Sequence, residues 1–258
     1  MDKNKAIKAV IFQQNETSTG VLNDVEALAR VIKKHCALII VDAVSGLGVA
    51  DLKTDDWGLD VVAAGSQKAF MVPPGLGFVS VSEKAWQACE NAKCPNFYLS
   101  FKQAKDFAAK GETPWTPAVS IIYGLKASLE ILKAEGLENT FKRHRRLRDA
   151  VRSGIKALGL KLLADDACAS PAVTAVFPPD GVEADAFRKI IKEKYGVVLA
   201  GGQGKLKGKI FRVGHLGYAD KMDVLIALAA IEMVLKELGQ KVELGLGVAA
   251  AEEVLIGD

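Results

Sequence analysis

The chain has 258 residues, of which half are hydrophobic and a quarter are charged, and its formal net charge is +3. This is the composition of a globular protein that can bury one large core or two smaller ones. The charge is too small to indicate nucleic-acid binding. No apolar run is long enough to span a bilayer and no secretory signal opens the sequence. We therefore expect a cytoplasmic protein without membrane or nucleic-acid partners.

The first half of the chain alternates apolar runs with a helical segment. Continuous apolar runs predict strands over 7–14, 36–42, 59–66 and 75–82. Between the first two runs, residues 22–35 carry apolar side chains at helical spacing. Because the runs are continuous rather than alternating, we predict an α/β fold with a mostly parallel sheet covered on both faces. The segment 83–117 is less regular and ends in a Pro-punctuated loop.

The second half predicts a different arrangement. A helical pattern runs from about residue 118 to 134, breaks at Gly136 and resumes over 137–159. Beyond it, strands are predicted over 160–164, 172–178, 196–202 and 209–215, helices over 183–195 and 220–239, and a peripheral helix within 240–258. We therefore predict a large α/β domain over residues 1–132 and a small α+β domain over residues 133–258. The basic run 141–149 is expected to form a solvated helix face.

The cysteines give no sign of a metal site or of disulfide pairing. None of the four, Cys36, Cys89, Cys94 and Cys168, stands in a CxxC spacing. A reduced intracellular protein without a structural metal is the expectation.

Two polar residues follow apolar strands and are candidates for chemistry. Asp42 ends the run CALIIVD, and Lys68 follows the run LDVVAAGS. In parallel sheets the carboxyl ends of the strands carry the ligand, so both residues are expected near one site. Alone, Asp42 could be a helix cap and Lys68 a surface lysine tucked under a loop.

Two further groups complete the candidate set. The turn NETSTG, residues 15–20, offers hydroxyls and backbone N–H groups that suit an anion, although such clusters often cap helices. Arg212 lies in the apolar run KIFRVGH, where an unpaired guanidinium is costly, so it should meet an acidic partner or a ligand. A strand-end aspartate, a strand-end lysine and a later arginine together suit pyridoxal phosphate acting on an amino acid.

At this point the sequence resembles a known family. The segments NETSTGV, IIVDAVSGLG, DVVAAGSQKAFMVPPGLGFVSVS, TPWTPAVSIIYGL, GLEN and FRVGHLG are similar to those of class V, fold-type I aminotransferases, which depend on pyridoxal phosphate. The most similar branch contains alanine–glyoxylate and serine–glyoxylate (serine–pyruvate) aminotransferases and the small subunit of soluble hydrogenase. The resemblance covers residues 6–235.

The resemblance implies a role for each matching residue. Lys68 would form the Schiff base and then shuttle the proton, and Asp42 would keep the pyridine nitrogen protonated. Arg212 would bind the substrate carboxylate. The other positions that match cofactor-binding residues are Thr17, Val44, Gln67, Thr113 and Thr116. Thr113 and Thr116 match a segment that reaches the phosphate in the partner subunit of a homodimer.

The resemblance also implies an activity and leaves alternatives open. The family moves an amino group from a small amino acid, such as alanine or serine, to a 2-oxo acid such as glyoxylate or pyruvate. The part of the family pattern that precedes residue 1, including a phosphate-binding loop, is missing from the sequence. A non-catalytic subunit of the same fold therefore remains an alternative. A cysteine desulfurase-like lyase is less favoured, because Gln67 precedes the lysine where those relatives have histidine. A nicotinamide-binding domain is disfavoured by the lack of a GxGxxG turn.

Overall fold

The computed structural model describes residue 4 and residues 6–256. In chain order its strands are β1 (Ala9–Gln13), β2 (Asn15–Glu16), β3 (Val21–Leu22), β4 (Leu38–Asp42), β5 (Val61–Gly65), β6 (Gly77–Val81), β7 (Val173–Val176), β8 (Ala200–Gly201) and β9 (Phe211–Gly214). Its α-helices are α1 (Val25–Ile32), α2 (Glu83–Glu90), α3 (Phe101–Ala108), α4 (Val119–Glu135), α5 (Leu137–Ala157), α6 (Ala184–Tyr195), α7 (Lys221–Glu237) and α8 (Leu246–Ile256). None of these helices is long and apolar enough to cross a membrane.

The first sheet has the strand order β1-β4-β5-β6. β1, β4 and β5 run parallel, and β6 is antiparallel to β5, which confirms the predicted mostly parallel sheet. Helix α1, between β3 and β4, begins after Asp24. The Asp24 carboxylate accepts a hydrogen bond from the Ala27 amide (2.8 Å). The buried side chains of α1, at helical spacing, pack on the strands: Val25, Ala29 and Ile32 against Ile39, Val41 and Val62.

The two faces of this sheet differ in burial. The helical residues of its hydrophobic cluster come from α1, which lies on the face of Ile39 and Val41. On the opposite face Ile11 is 72% exposed and Val79 is 45% exposed. The expectation that both faces are covered is therefore wrong for residue 4 and residues 6–256. Side chains alternate along a strand, so a continuous apolar run only shows that both faces carry apolar groups.

The second sheet is antiparallel, with the order β7-β9-β8. Helices α5, α6, α7 and α8 supply most of the hydrophobic core beside it, including Ile155, Phe187, Ile231 and Ala251. Two predicted strands are shorter than expected. The run 160–164 forms only a bridge between Leu162 and Val176, and the run 196–202 is reduced to β8.

A buried carboxylate attaches the C-terminal helix. Glu232 of α7 is 3% exposed, and its oxygens accept hydrogen bonds from the amides of Gly245 (2.7 Å), Gly247 (2.6 Å) and Val248 (3.0 Å). The first amides of a helix have no partner within the helix and carry partial positive charge, so a carboxylate is their best acceptor. This holds α8 against α5 and α7.

The basic run 141–149 is a solvated face only in part, since Lys142, Arg145 and Arg146 are exposed but their neighbours are not. His144 is fully buried, and Arg143 forms a bidentate ion pair with Glu135 (2.6 and 3.1 Å). The nearby Arg152 is 5% exposed and bonds Asp166 and the Ala164 carbonyl. These partners are distant in sequence or beyond a helix break, so the charge pattern alone does not show them.

Three kinds of contact join the two halves of the chain. A small hydrophobic cluster combines Val49 and Ala69 with Ala172 and Leu216. The amide of Ser170 donates to the Gly20 carbonyl (2.9 Å). The guanidinium of Arg212 donates to the Thr17 carbonyl (2.6 Å). The halves therefore meet at the loops that follow β1, β4 and β5.

Two buried histidines stand near this junction, and both are neutral. His144 Nδ1 lies 2.7 Å from the Thr140 carbonyl, and its Nε2 accepts the Gly217 amide (3.0 Å). His215 Nδ1 lies 3.0 Å from the Pro171 carbonyl, and its Nε2 lies 2.9 Å from the Thr174 hydroxyl. A carbonyl can only accept, so Nδ1 carries the proton in both rings. Burial lowers the pKa of His144 to about 4 and that of His215 to about 3.

We predict that Glu232→Ala lowers the free energy of unfolding by about 3 kcal/mol, because three buried amides lose a charged acceptor. Urea unfolding followed by circular dichroism measures this. Glu130→Ala, at an exposed glutamate of α4, is the control and should change stability by no more than about 0.5 kcal/mol. Equal effects of the two substitutions would contradict the role assigned to Glu232.

We also predict that the free energy of unfolding falls as the pH is lowered from about 7 to 5. The unfolded chain binds protons on histidine below about 6.5, whereas buried His144 and His215 stay neutral until a lower pH. Each contributes a slope of up to about 1.4 kcal/mol per pH unit in this window. Denaturant unfolding at several pH values measures the slope. Replacing both histidines with glutamine should flatten it, and an unchanged slope in that variant would show that other groups cause it.

Candidate functional site

The strand ends bring Asp42 and Lys68 to the same edge of the first sheet. Asp42 is the last residue of β4 and stands level with Gln13 of β1 and Ala63 of β5. Lys68 is the third residue after β5 ends. The segments that follow the two strands touch, because a Cβ added at Gly48 would lie 2.9 Å from the Ala69 Cβ. Asp42 and Lys68 therefore stand at the ends of neighbouring strands, Asp42 within β4 and Lys68 in the loop that follows β5.

The Asp42 carboxylate is exposed, and only one of its two oxygens accepts a hydrogen bond from a described residue. Its Oδ1 accepts a hydrogen bond from the amide of Val44 (2.9 Å), and no described residue donates to Oδ2. By strand alternation its side chain is on the face of Ile11 and Val79, which α1 does not cover. Val44 lies two residues further on, with a half-buried side chain. The amide contact with Val44 fixes the carboxylate and leaves one oxygen for another group.

Lys68 combines a fixed backbone with a free amine. The next residue, Ala69, is buried in the cluster with Val49, Ala172 and Leu216. The Lys68 carbonyl accepts the Met71 amide (3.0 Å). Its half-buried side chain forms no hydrogen bond or ion pair with any described residue. A lysine that served only to hold a loop would have such a partner.

Ser66 closes the loop that carries Lys68. Its side chain is fully buried, and Oγ donates to the Pro73 carbonyl (2.7 Å) and accepts the Leu76 amide (3.2 Å). Within this loop Met71 has φ 59°, a left-handed conformation that costs a non-glycine residue of the order of 1 kcal/mol or more. We did not identify Ser66 from the sequence, although its place between a strand and a Pro-Pro-Gly turn was a usable signal.

Gln67 points away from the buried side of the loop. Its side chain is exposed and lies close to Gly65, where an added Cβ would stand 2.8 Å from Gln67 Oε1. Glycine at position 65 therefore leaves the space that the glutamine occupies.

Arg212 has no acidic partner among the described residues. It is 8% exposed, and it donates to the carbonyls of Gly201 (2.8 Å, from Nε) and Thr17 (2.6 Å, from Nη1). No described residue accepts from Nη2. Burial and the nearby Arg188 lower its pKa, and the Glu16 carboxylate opposes that shift. A guanidinium held by two carbonyls keeps its full charge and can still bind an anion through the remaining N–H groups.

In the turn at residues 15–20, Glu16 already accepts hydrogen bonds from backbone amides of the turn. Glu16 accepts the Ser18 amide at its carboxylate (2.8 Å) and the Gly20 amide at its backbone carbonyl (2.9 Å). The interpretation that these amides suit an external anion is therefore wrong. Thr17 presents its carbonyl to Arg212, and its hydroxyl has no hydrogen-bond partner among the described residues.

Thr113 and Thr116 lie apart from this group. Both are exposed, in the loop between α3 and α4, and the Thr113 hydroxyl donates to the Trp115 carbonyl (2.6 Å). The ring of Trp115 stacks on Tyr98 and packs against Phe97. No contact among the described residues joins either threonine to Lys68 or Asp42, so the structure does not bring them into the same cluster.

A turn from the second half of the chain reaches Lys68, which the sequence did not indicate. Gly217 has φ 77°, and a Cβ there would lie 3.3 Å from the Lys68 carbonyl oxygen. Arg143 and His144 of α5 both bond this turn. The motif FRVGHLG contains the glycine, but only the tertiary structure shows what it touches.

Taken together, the site offers a free amine, a carboxylate with a free oxygen and a guanidinium with free N–H groups. These groups can condense with a carbonyl compound and bind anions. Among residue 4 and residues 6–256, no group of three or more His, Cys, Asp or Glu side chains could hold a metal ion. A surface cavity of about 360 Å³ lies elsewhere, lined by residues that include Gln14, Asp51 and Arg148.

Comparisons with known proteins agree with this arrangement. The family model for aminotransferase class V matches residues 3–213. The soluble hydrogenase small subunit of Synechococcus sp. (strain PCC 6716) is 54% identical over 98% of the chain, which spans 66% of that relative. The serine–glyoxylate aminotransferase of Hyphomicrobium methylovorum is 41% identical over 98% of the chain, which spans 64% of it.

A solved structure shows the same fold. Pyridoxamine–pyruvate aminotransferase from Mesorhizobium loti superposes with a TM-score of 0.94 at 34% identity, over 98% of this chain and 66% of that one. The chain therefore spans just under two thirds of the length of these proteins. The sequence match, the shared fold and the strand-end lysine and aspartate together show that the chain belongs to the class V aminotransferases.

Proposed function

We propose that the chain acts in a transaminase reaction that depends on pyridoxal phosphate and transfers an amino group from a small amino acid to a 2-oxo acid. The observation that carries the proposal is the state of Lys68. Its backbone is fixed by buried Ala69 and by the Met71 amide, while its amine has no partner among the described residues. A fixed, unpaired lysine is what covalent capture of a carbonyl group requires.

The residues present fit pyridoxal phosphate. When bound, the cofactor supplies an aldehyde that captures amines and a pyridine ring that takes up electrons. Lys68 would provide the amine for its attachment and afterwards carry the proton between the substrate atoms. The free Oδ2 of Asp42 would hold the proton on the ring nitrogen, because a carboxylate favours a neighbouring positive charge. Val44 would pack on the ring, and Gln67 and the Thr17 hydroxyl would donate polar contacts.

Arg212 is proposed to bind the carboxylate of the substrate. Its Nε and Nη1 are each fixed by a carbonyl, so the guanidinium is already oriented before a ligand arrives. A guanidinium has five N–H groups, so three remain on Nη1 and Nη2 for two parallel hydrogen bonds to a carboxylate. Alanine and serine as donors, and glyoxylate and pyruvate as acceptors, occur in the names of the relatives, one of which is named for L-aspartate instead.

The proposal also includes a homodimer, a division into two domains and a cytoplasmic location. Thr113 and Thr116 would reach the cofactor phosphate of a partner subunit in a homodimer, which accords with their exposed position. Residues 1–132 would form the cofactor domain and residues 133–258 the small domain, supported by the separate hydrophobic clusters of the two halves. A cytoplasmic location completes the proposal.

A second candidate is a non-catalytic subunit with the same fold. Its support is the 54% identity to a protein named as a hydrogenase subunit. In that case the chain would act through a protein partner, and the amine of Lys68 would have no catalytic role. The transaminase candidate predicts that Lys68 binds the cofactor covalently and the non-catalytic candidate does not, so a test for this bond distinguishes them.

We predict that Lys68 is the residue modified when the protein is incubated with pyridoxal phosphate and reduced with borohydride. Peptide mapping by mass spectrometry should find the phosphopyridoxyl group there, and Lys68→Arg should abolish it. Lys126→Arg, at an exposed lysine of α4, is the control and should leave the modification in place. Modification of another lysine, or of none, would contradict the assignment and favour the non-catalytic candidate.

We predict that Arg212→Lys weakens binding of alanine or serine to the cofactor-loaded protein by roughly tenfold or more while cofactor affinity is kept, because lysine retains the charge but not the planar fork. Absorbance titration with the amino acid measures both quantities. Arg148→Lys, at a half-buried arginine of α5 that pairs with Asp149, is the control. If Arg212→Lys lowers thermal stability without changing amino-acid affinity, Arg212 is structural.

A further inference from the structure

The turn that follows β9 rests directly on the lysine segment. A Cβ at Gly217 would lie 3.3 Å from the Lys68 carbonyl oxygen and 3.4 Å from Met71 Cγ, so only a hydrogen at this position permits the observed contact without adjustment. The preceding residue, Leu216, packs into the cluster that buries Ala69. The turn therefore covers the backbone on both sides of the bond between Lys68 and Ala69.

His144 holds this turn through a single, directed hydrogen bond. Its Nε2 accepts the Gly217 amide (3.0 Å), and its Nδ1 donates to the Thr140 carbonyl (2.7 Å) one helical turn earlier. The second bond fixes which nitrogen carries the proton, so Nε2 is always the acceptor. The ring is fully buried, and water cannot replace the bond.

Arg143 holds the same turn from its carbonyl side. Its Nη1 donates to the carbonyls of Gly217 and Ala219, both at 3.0 Å. Its Nε and Nη2 are paired with the Glu135 carboxylate, which orients the guanidinium plane. Neighbouring residues of α5 therefore bind both the backbone N–H and the backbone carbonyl of Gly217.

We propose that His144 and Arg143 are positioning residues for Lys68, which act by holding the Gly217 turn against its backbone. This proposal rests on the proposed function of Lys68 as the cofactor lysine. Neither residue contacts the amine, so they do not take part in the chemistry. They fix the Cα from which the lysine side chain extends, together with the left-handed Met71 that follows it. A shift of the turn would let this strained segment relax and move the amine relative to Asp42.

The test uses His144→Leu, which removes the acceptor at similar volume, and His144→Gln, whose side-chain oxygen can reach the Gly217 amide. Arg152→Met is the matched control, because Arg152 is a buried charged residue of the same helix that bonds Asp166 and not the turn. The first measurement is hydrogen–deuterium exchange of the peptides covering 66–76 and 214–220, which needs no cofactor. The second is the fraction of Lys68 trapped by pyridoxal phosphate and borohydride.

We expect His144→Leu to raise exchange in both peptides by roughly tenfold, the effect of losing about one buried hydrogen bond, and to lower trapping at Lys68. His144→Gln should restore both quantities toward wild type. Arg152→Met should lower the melting temperature and leave both unchanged. If His144→Leu does not fold, Arg143→Gln removes the other half of the contact and should give the same pattern.

The proposal is overturned if the leucine variant, or Arg143→Gln in its place, loses thermal stability but leaves exchange in 66–76 as in wild type. If Arg152→Met raised exchange in these peptides as much as His144→Leu does, the proposal would be overturned as well, since the effect would then be a general loss of stability. Absence of trapping in the wild-type protein would reject the proposed function instead. The exchange experiment would still decide whether His144 and Arg143 position the lysine backbone.

Discussion

The site depends on the burial of Ala69, one residue after the lysine. Its methyl group lies among Val49, Ala172 and Leu216, so a single small side chain ties the loop after β5 to the loop after β4 and to the second half of the chain. Gly48 packs so closely on this methyl group that a Cβ added at Gly48 would lie only 2.9 Å from it. The alanine fixes the backbone beside it, so that Lys68 can keep its amine free without the loop becoming mobile.

The polar groups around this cluster divide into two kinds. Ser66, His144 and the Arg143–Glu135 pair have all their partners within the protein and serve to place the backbone. Lys68, Asp42 and Arg212 each keep at least one polar atom without a partner among the described residues. The Asp42 carboxylate is exposed, the Lys68 side chain is half-buried and Arg212 is 8% exposed, so the free atoms of these residues can still meet an incoming ligand.

The sequence predicted the strands, most helices and the positions of Asp42 and Lys68 at the ends of neighbouring strands, because apolar runs and the geometry of parallel sheets are local or general rules. It misjudged features that depend on distant partners. The basic run on α5 was expected to face solvent, yet His144 and Arg143 bond a turn more than 70 residues away in sequence. The turn at Thr17 was expected to offer amides to an anion, but the Glu16 carboxylate accepts the Ser18 amide and the Glu16 backbone carbonyl accepts the Gly20 amide. The left-handed Met71 has no local signal at all.

The central claim is that Asp42 and Lys68 hold opposite ends of one cofactor. It is tested most directly by nitrogen-15 NMR of the protein loaded with pyridoxal phosphate labelled at the ring nitrogen and reduced onto the lysine with borohydride. The account predicts the chemical shift of a protonated pyridinium in the wild-type protein at neutral pH and that of a neutral pyridine in Asp42→Asn. The same protonation state in both proteins would contradict it, because Asp42 would then be a cap for the segment that follows β4 and no part of the cofactor site.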